Sequence, residues 1–224
     1  MHVTAVVVAA GKGLRLKSRV SKPLIKIGSK PLIIYSLATL SKHSCIKDII
    51  VVANRQNLKS IRRAIKQYRI KKIKDVVLGG KLRQDSVFNG LKATDKKAGI
   101  ILIHDSGRPF IDGKIISSAI KAAKKYGAAI VGVPVKSTVK RIARQCMVGE
   151  TIDRKIIWEI QTPQVFKKEL ILKAYRKFGR MNVTDDAMLV EKLGSQIKVV
   201  LGNYKNIKIT TPEDLTIARA IAEG

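Results

Sequence analysis

The sequence predicts an α/β fold with a mostly parallel sheet and helices on both of its faces. Three observations carry this. Short apolar runs alternate with longer amphipathic segments over most of the chain. The first run, residues 3–9 (VTAVVVA), is apolar almost throughout, as strands covered on both faces are. Several runs stop at glycines or acids, where a strand gives way to a loop: Gly11 and Gly13, then Gly79-Gly80, then His104-Asp105.

The elements follow in order. After the strand at 3–9, residues 10–22 form a loop of glycine, lysine, arginine and serine. Residues 31–40 read as a helix with Pro31 in its first turn, and 48–53 as the second strand. The segment 58–68 is a basic amphipathic helix, with Ile61 and Ile65 one turn apart. A short strand at 76–78 precedes a helix at about 84–93. A strand at 100–103, a helix at 115–126 and a strand at 128–133 come next. The alternation breaks after Pro134. Residues 136–160 show no helical stripe and read as two β segments around a turn at 147–150, a polar hairpin that cannot bury itself alone. Helices return at 168–178 and 185–193, and a strand at 197–201 follows. The last helix opens on Thr211-Pro212-Glu213-Asp214, which supplies a cap, a proline at the first position and acids in the first turn.

At 224 residues the chain suits one domain, 1–224, whose core needs no staples. No apolar run approaches the roughly 20 residues of a membrane span. The N-terminal run lacks a basic flank and a cleavage site, and so reads as a strand and not as a leader. Cys45 and Cys146 stand far apart in no metal spacing, which points to a reducing cytoplasm. The charge is extreme: 45 basic against 16 acidic residues, net +29. Two explanations stand side by side. One is an anionic partner, either nucleic acid or phosphorylated small molecules. The other is a lysine-rich composition carried on solvated helix faces. The lysines are spread along the chain, and aromatic residues are only 4%, so base-stacking platforms are scarce. A specific nucleic-acid partner and a membrane partner are not expected.

The first chemical motif is Ala9-Ala10-Gly11-Lys12-Gly13-Leu14-Arg15, with Lys22 beyond it. Glycines directly after a strand let main-chain N–H groups approach phosphates. It is not the dinucleotide fingerprint, since Leu16 stands where the third glycine belongs. Nor is it a Walker loop, since no Gly-Lys-Ser/Thr follows. The second motif, Gly79-Gly80-Lys81-Leu82-Arg83-Gln84-Asp85-Ser86, ends a strand and opens a helix. It suits either a base or ribose edge or a plain helix cap. The third, His104-Asp105-Ser106-Gly107-Arg108-Pro109, puts an acid at the carboxyl end of a strand, where open α/β sheets bind ligands. Weaker clusters are Thr138-Val139-Lys140-Arg141, Asp153-Arg154, Gln161-Thr162-Pro163-Gln164, Val183-Thr184-Asp185-Asp186 and Asn206-Ile207-Lys208. Each is as readily a cap or a turn. No nucleophile–base pair and no His/Cys metal cluster stands out in the sequence.

The segments AAGKGLRL, PLIIYSL, GGKLRQDSVFNGL, HDSGRPFI, PVKSTVKR, WEIQTPQVF, TDDAMLVE and NIKITTPEDL occur in one order over essentially the whole chain. Together they resemble the 2-C-methyl-D-erythritol 4-phosphate cytidylyltransferases of the non-mevalonate isoprenoid pathway. The resemblance implies a Rossmann-like nucleotidyltransferase fold, a protruding β-arm at 136–160, and a homodimer that exchanges this arm. It implies cytidyl transfer from CTP with Mg²⁺ held mainly by the triphosphate. It assigns the nucleotide to Ala9, Ala10, Gly11, Lys12, Gly13, Gly79, Gly80, Arg83, Ser86 and Asp105. The acceptor falls to Asp105, Ser106, Arg108, Thr138, Arg154, Thr162, Thr184 and Lys208. Arg15, Lys22, Arg154 and Lys208 are the expected catalytic cations, Arg154 reaching the site of the neighbouring subunit. The metal ligands are left unassigned. The sequence departs from the family's usual residues at Ser21 (proline), Lys81 (an acid), Gly107 (alanine) and Ser137 (aspartate).

The residue inventory fits such a reaction. A phosphate monoester has its second pKa near ~6 and is largely a dianion at neutral pH, so it can attack phosphorus without a general base. What is needed is positioning and positive charge. Two rivals are carried forward: cytidyl transfer to ribitol 5-phosphate, and a basic nucleic-acid-binding protein whose affinity falls steeply with salt.

Overall fold

The computed structural model describes residues 2–11, 13–16, 18 and 20–223. The strand β1 (His2–Ala9) leads into the glycine loop and a 3-10 turn at Leu14–Leu16. A second such turn, Lys22–Leu24, and a small hairpin of β2 (Lys26–Ile27) and β3 (Lys30–Pro31) bring the chain to α1 (Leu32–Lys42). Then come β4 (Ile46–Ala53), α2 (Leu58–Gln67), β5 (Ile73–Leu78), α3 (Arg83–Lys92), β6 (Ala98–Asp105), α4 (Gly113–Tyr126) and β7 (Ala128–Pro134). The last part holds β8 (Val139–Ile142), β9 (Val148–Ile152), β10 (Trp158–Lys167), α5 (Lys168–Phe178), α6 (Ala187–Glu191), β11 (Lys198–Leu201) and α7 (Pro212–Glu223).

Seven strands form one sheet in the order β11-β7-β10-β6-β1-β4-β5. All neighbours are parallel except β10, which runs antiparallel between β6 and β7. Alternation along β1 divides the core. Val3, Ala5, Val7 and Ala9 face a layer built with α1, α2 and α4. Val6 faces the other layer, built with α3, α5 and α6. On that side α3 lies close to the sheet because Gly90 has no side chain. A β-carbon there would stand 2.5 Å from Val6 Cγ1 and 2.8 Å from Val52 Cγ2. A third, small cluster of Leu16, Ile27, Leu32, Ile209 and Ala218 ties the loop after β1 to α7.

The chain runs outward from β1 through β4 to β5, then returns to the other side of β1 as β6. The point where this order reverses lies between β1 and β6, with Val8 opposite Asp105 at their carboxyl ends. Open α/β sheets leave their crevice there.

The sequence reading differs from the fold in three places. Residues 158–167 are a full strand of the main sheet, although turn-forming residues dominate Gln161-Thr162-Pro163-Gln164; the register shifts between Gln161 and Gln164 accommodate them. The β8/β9 hairpin turns at residues 143–147, not at 147–150. Gln145 and Cys146 take the left-handed conformation there, while Gly149 lies inside β9 against the Arg141 carbonyl. The helix expected at 185–193 is only α6, because Asp185 and Asp186 are held in a turn by Gln164.

Candidate active site

A cleft of about 700 Å³ opens at the carboxyl ends of β1 and β6. Ala9, Ala10 and Gly11 form one wall, Gly80, Arg83 and Ser86 a second, and Asp105, Ser106 and Gly107 the floor, with Lys22 and Lys208 entering from the side. The main chain can come this close because side chains are missing where they would collide. A β-carbon on Gly79 would sit 2.6 Å from Ser86 Oγ and 2.7 Å from Ala10 Cβ. Gly13 has φ +65, and a β-carbon on it would sit 2.7 Å from Lys22 Cβ.

Asp105 is the hub. Its Oδ2 lies 2.6 Å from Lys208 Nζ, and its Oδ1 lies 3.0 Å from Arg83 Nη2. Burial opposes ionisation, but the Arg83 guanidinium and the Lys208 ammonium overcome it and hold the carboxyl below the usual carboxylate range. Arg83 is itself fixed from behind. Its Nη2 donates to Asp186 Oδ2 at 2.9 Å, and Asp186 Oδ1 accepts from the Tyr175 hydroxyl at 2.5 Å. Burial disfavours the Arg83 charge, yet the carboxylates of Asp186 and Asp105 raise its pKa further above the ordinary arginine value.

The polar side chains of β10 brace this arrangement. Thr162 Oγ1 accepts from the Asp105 main-chain N–H at 3.1 Å and lies 3.1 Å from His104 Nδ1. His104 Nε2 lies 2.9 Å from the Arg108 carbonyl oxygen. Burial depresses the His104 pKa to about 4, so the ring is neutral at physiological pH. It then donates from Nε2 to that carbonyl and accepts the Thr162 proton at Nδ1. Gln161 reaches the other way. It donates to the Asn203 carbonyl at 3.0 Å and accepts from Asn206 at 3.1 Å, which places the loop carrying Lys208 beside Asp105. Gln164 Oε1 accepts from the N–H groups of Asp186 and Ala187, each at 3.1 Å, which places Asp186 behind Arg83.

Lys22 has the opposite balance. Burial and the neighbouring charges of Lys208 and Arg15 outweigh the attraction of Asp105 and Asp214, and its pKa falls to about 8. Its ammonium rests over Gly107, where a β-carbon would be 2.7 Å from Nζ.

Of the residues singled out in the sequence, the structure brings Ala9, Ala10, Gly11, Lys22, Gly80, Arg83, Ser86, Asp105, Ser106 and Lys208 to one cleft, with Gly79 and Gly13 packed behind its walls. Arg15 is exposed on its 3-10 turn, within electrostatic reach of Lys22. Lys12 lies outside the described residues. Arg108 and Thr162 sit beneath the floor: the Arg108 guanidinium donates to the carbonyls of Asn206 and Ile160 at 2.7 and 3.2 Å. Thr184 is exposed ahead of α6. Thr138 and Arg154 are exposed at the hairpin and do not line the cleft of their own chain; Arg154 Nη1 donates to the Lys136 carbonyl at 2.5 Å. Asp186, Tyr175, Asn54 and Asn57 were not singled out as site residues. Asp186 stood only within a segment that reads as a cap or turn, Tyr175 lies inside α5, and Asn54 and Asn57 lie between β4 and α2.

A glycine-lined cleft, rich in cations and placed at the switch point of an open α/β sheet, is the site of an enzyme that handles phosphorylated substrates. The comparisons make the class specific. The family model for 2-C-methyl-D-erythritol 4-phosphate cytidylyltransferase (IspD) matches residues 3–224, and the chain belongs to that family. A relative so named from Alkaliphilus metalliredigens is 45% identical over 223 residues, covering 98% of this chain and 92% of its own. Another from Caldanaerobacter subterraneus is 46% identical over 222 residues, covering 97% of each chain. The crystal structure of 4-diphosphocytidyl-2C-methyl-D-erythritol synthase from Anaerococcus prevotii superposes with a TM-score of 0.88 at 35% identity, covering 100% of this chain and 99% of that one.

The state of Lys22 gives a testable consequence. The unfolded chain keeps this proton up to about 10.5, the folded chain only up to about 8. Below pH 8 the folded state carries the full penalty of a crowded, partly desolvated charge, and between these values stability rises with pH. Lys22→Met is therefore expected to melt at a higher temperature than the native chain at pH 7, with the gain fading between pH 8 and 10.5. A lower melting temperature at pH 7, or a difference independent of pH, would contradict this.

Proposed function

We infer that the chain transfers CMP from CTP to 2-C-methyl-D-erythritol 4-phosphate, releasing pyrophosphate and forming 4-diphosphocytidyl-2-C-methyl-D-erythritol for isoprenoid biosynthesis. The observation that carries this, in a chain of this family, is the gathering of Lys22, Lys208 and Arg83 around one carboxylate in a glycine-lined cleft.

The main chain of Ala9 to Gly13 cradles the triphosphate, with Arg15 and Lys22 on its oxygens. The ribose and base lie along Gly79, Gly80 and Ser86. Asp105 accepts from ribose hydroxyls, and Lys208 turns to the acceptor phosphate. Thr162 and Arg108 support this from below through the main chain of Asp105 and the loop of Lys208. The acceptor phosphate, already a dianion, attacks the α-phosphorus, and the bond from that phosphorus to the bridging oxygen breaks. Pyrophosphate leaves with that electron pair. The cations lower the barrier by neutralising charge that builds on the transferring group and leaving oxygen.

A magnesium ion suits the donor set. Among the described residues lining the cleft, Asp105 supplies the one carboxylate, and Mg²⁺ binds through one or two carboxylates plus substrate phosphates. Asp105 would hold it together with the triphosphate, and the ion would supply further charge neutralisation there.

The hairpin of β8 and β9 is read as an arm that crosses to a second copy of the chain. Ile142, Met147, Val148 and Ile156 are exposed on and beside it, and Trp158 is partly so. These residues want a surface to cover, and a two-fold partner offers one. Arg154 then grips the acceptor phosphate in the partner's cleft. The two cysteines, both free, suit a cytoplasmic enzyme.

Pyrophosphate release tests the substrate assignment. Turnover is expected with CTP and methylerythritol phosphate. UTP should be a poor donor and ribitol 5-phosphate a poor acceptor. Lys22→Ala should lower kcat by about 10²–10³-fold. Equal rates with both acceptors would move the chain to a different specificity, and near-normal turnover of a folded Lys22→Ala variant would remove Lys22 from the mechanism.

Subunit mixing tests the arm. Arg154→Ala and Lys22→Ala chains, each inactive alone, are exchanged into mixed dimers. If Arg154 acts across the interface, one site in each mixed dimer carries both defects and the other none, and activity returns. A mixture that stays inactive, or a monomeric elution profile, would reject the arm exchange.

A further inference from the structure

We propose that Asn57 and Ser21 are positioning residues for Lys22: one buried amide joins the end of β1 to the main chain from which Lys22 enters the cleft. The proposal rests on the reading of Lys22 as a cation for the triphosphate.

Asn57 is 1% exposed. Its Nδ2 donates to two acceptors, the Ala9 carbonyl at 2.9 Å and Ser21 Oγ at 3.0 Å. The amide is held from behind. Asn57 Oδ1 accepts from the Asn54 N–H, Asn54 Oδ1 accepts from the Asn57 N–H, both at 2.9 Å, and Asn54 Nδ2 donates to the Ala10 carbonyl at 3.0 Å. This reciprocal pair sits at the end of β4, next to β1 in the sheet. It has no freedom to follow Ser21 if the loop moves, so it fixes the loop to the sheet.

Lys22 needs such an anchor because its path is narrow and its tip is repelled. Its Cβ lies against Gly13, and its Nζ and Cε lie 2.7 and 3.0 Å from where a β-carbon on Gly107 would be. At the tip, Lys208 and Arg15 repel it, while Asp105 and Asp214 attract it. Among the described residues of the loop before it, Arg15, Ser18 and Val20 are exposed and Leu16 is buried in the small third cluster. After it, Leu24 and Ile25 donate to the carbonyls of Ser21 and Lys22 at 2.8 and 3.2 Å, which shapes the turn but does not tie it to β1. Leu24 packs against the core layer that holds Val7 and Ala9, and the Ser21 hydroxyl adds the hydrogen bond that joins the base of Lys22 to the asparagine pair. Without that hydroxyl, the base of Lys22 loses its hydrogen bond to the sheet, and the repelled ammonium has more room to turn toward water.

The departure at Ser21 thus has a physical meaning. A hydroxyl at this position offers stiffness through a hydrogen bond to the sheet. Asn57 itself is a poor target for the test, since its amide also holds Ala9 and Asn54. Ser21→Ala removes one acceptor at a half-buried loop position and leaves Asn57 its bond to Ala9.

The experiment pairs kinetics with lysine-selective NMR titration of the Lys22 ammonium in the full chain. Ser21→Ala is expected to raise the Lys22 pKa from about 8 toward the ordinary lysine range, as the ammonium gains water and moves away from Lys208. It should lower kcat by about five- to tenfold, roughly the loss of one hydrogen bond, with KM for CTP changed less than about twofold. Ser21→Thr, which keeps the hydroxyl, should restore both values. An unmoved Lys22 pKa in Ser21→Ala overturns the proposal, whether kcat falls or not. A moved pKa with unchanged kcat supports the positioning role and overturns instead the reading of Lys22 as a catalytic cation.

Discussion

Asp105 must stay ionised although it is buried at the bottom of the cleft, and the rest of the site follows from that constraint. A buried carboxylate is costly unless it is paired and hydrogen-bonded. Arg83 and Lys208 pair it from two sides, and Asp186 and Tyr175 hold Arg83 in place in turn. Two ion pairs meet at Arg83, one facing the cleft and one facing the core. The balance of charge at the mouth of the cleft is nevertheless positive, because Lys22 and Arg15 share the space with Lys208. The site is electrostatically incomplete until an anion enters it. On the proposed reading, that incompleteness favours a triphosphate, at some cost to the fold's own stability.

The sheet supplies this geometry. Asp105 sits where it does because β6 lies beside β1 at the switch point, and the parallel neighbours present loops at the same edge. The antiparallel strand β10 has a separate role. Its apolar residues Val165 and Phe166 complete the core, while Gln161, Thr162 and Gln164 brace three different loops. One strand thereby fixes Lys208, Asp105 and Asp186 relative to one another. On the other side of the cleft Lys22 passes over Gly13 and Gly107, and its neighbour Ser21 accepts from the paired asparagines at the end of β4.

Much of this was legible in the sequence. The apolar run of β1, the glycines after it and the acid closing β6 locate the cleft from local pattern alone, since each marks the end of a strand. Arg83 and Ser86 were found for the same reason, at the start of a helix that follows a glycine pair. What local pattern could not give was long-range pairing. Nothing around Asp186 tells that Arg83, 103 residues away, needs it. The Gln161-Thr162-Pro163-Gln164 segment reads as a turn because its residues favour turns, and only its neighbours β6 and β7 make it a strand. Asn57 stands directly before α2. Its side chain leaves the helix end uncapped and turns to Ala9 and Ser21.

With its pKa lowered to about 8, Lys22 in the free cleft stays short of full protonation until a polyanion arrives. Calorimetry of CTP binding in buffers of different ionisation enthalpy measures the protons taken up. At pH 8, near the Lys22 pKa of about 8, binding should take up about half a proton, because the triphosphate returns the lysine to its charged form. At pH 6 that uptake should vanish, and in Lys22→Met it should be absent at both values. Binding at pH 8 with no proton uptake, or uptake that survives in Lys22→Met, would contradict the account.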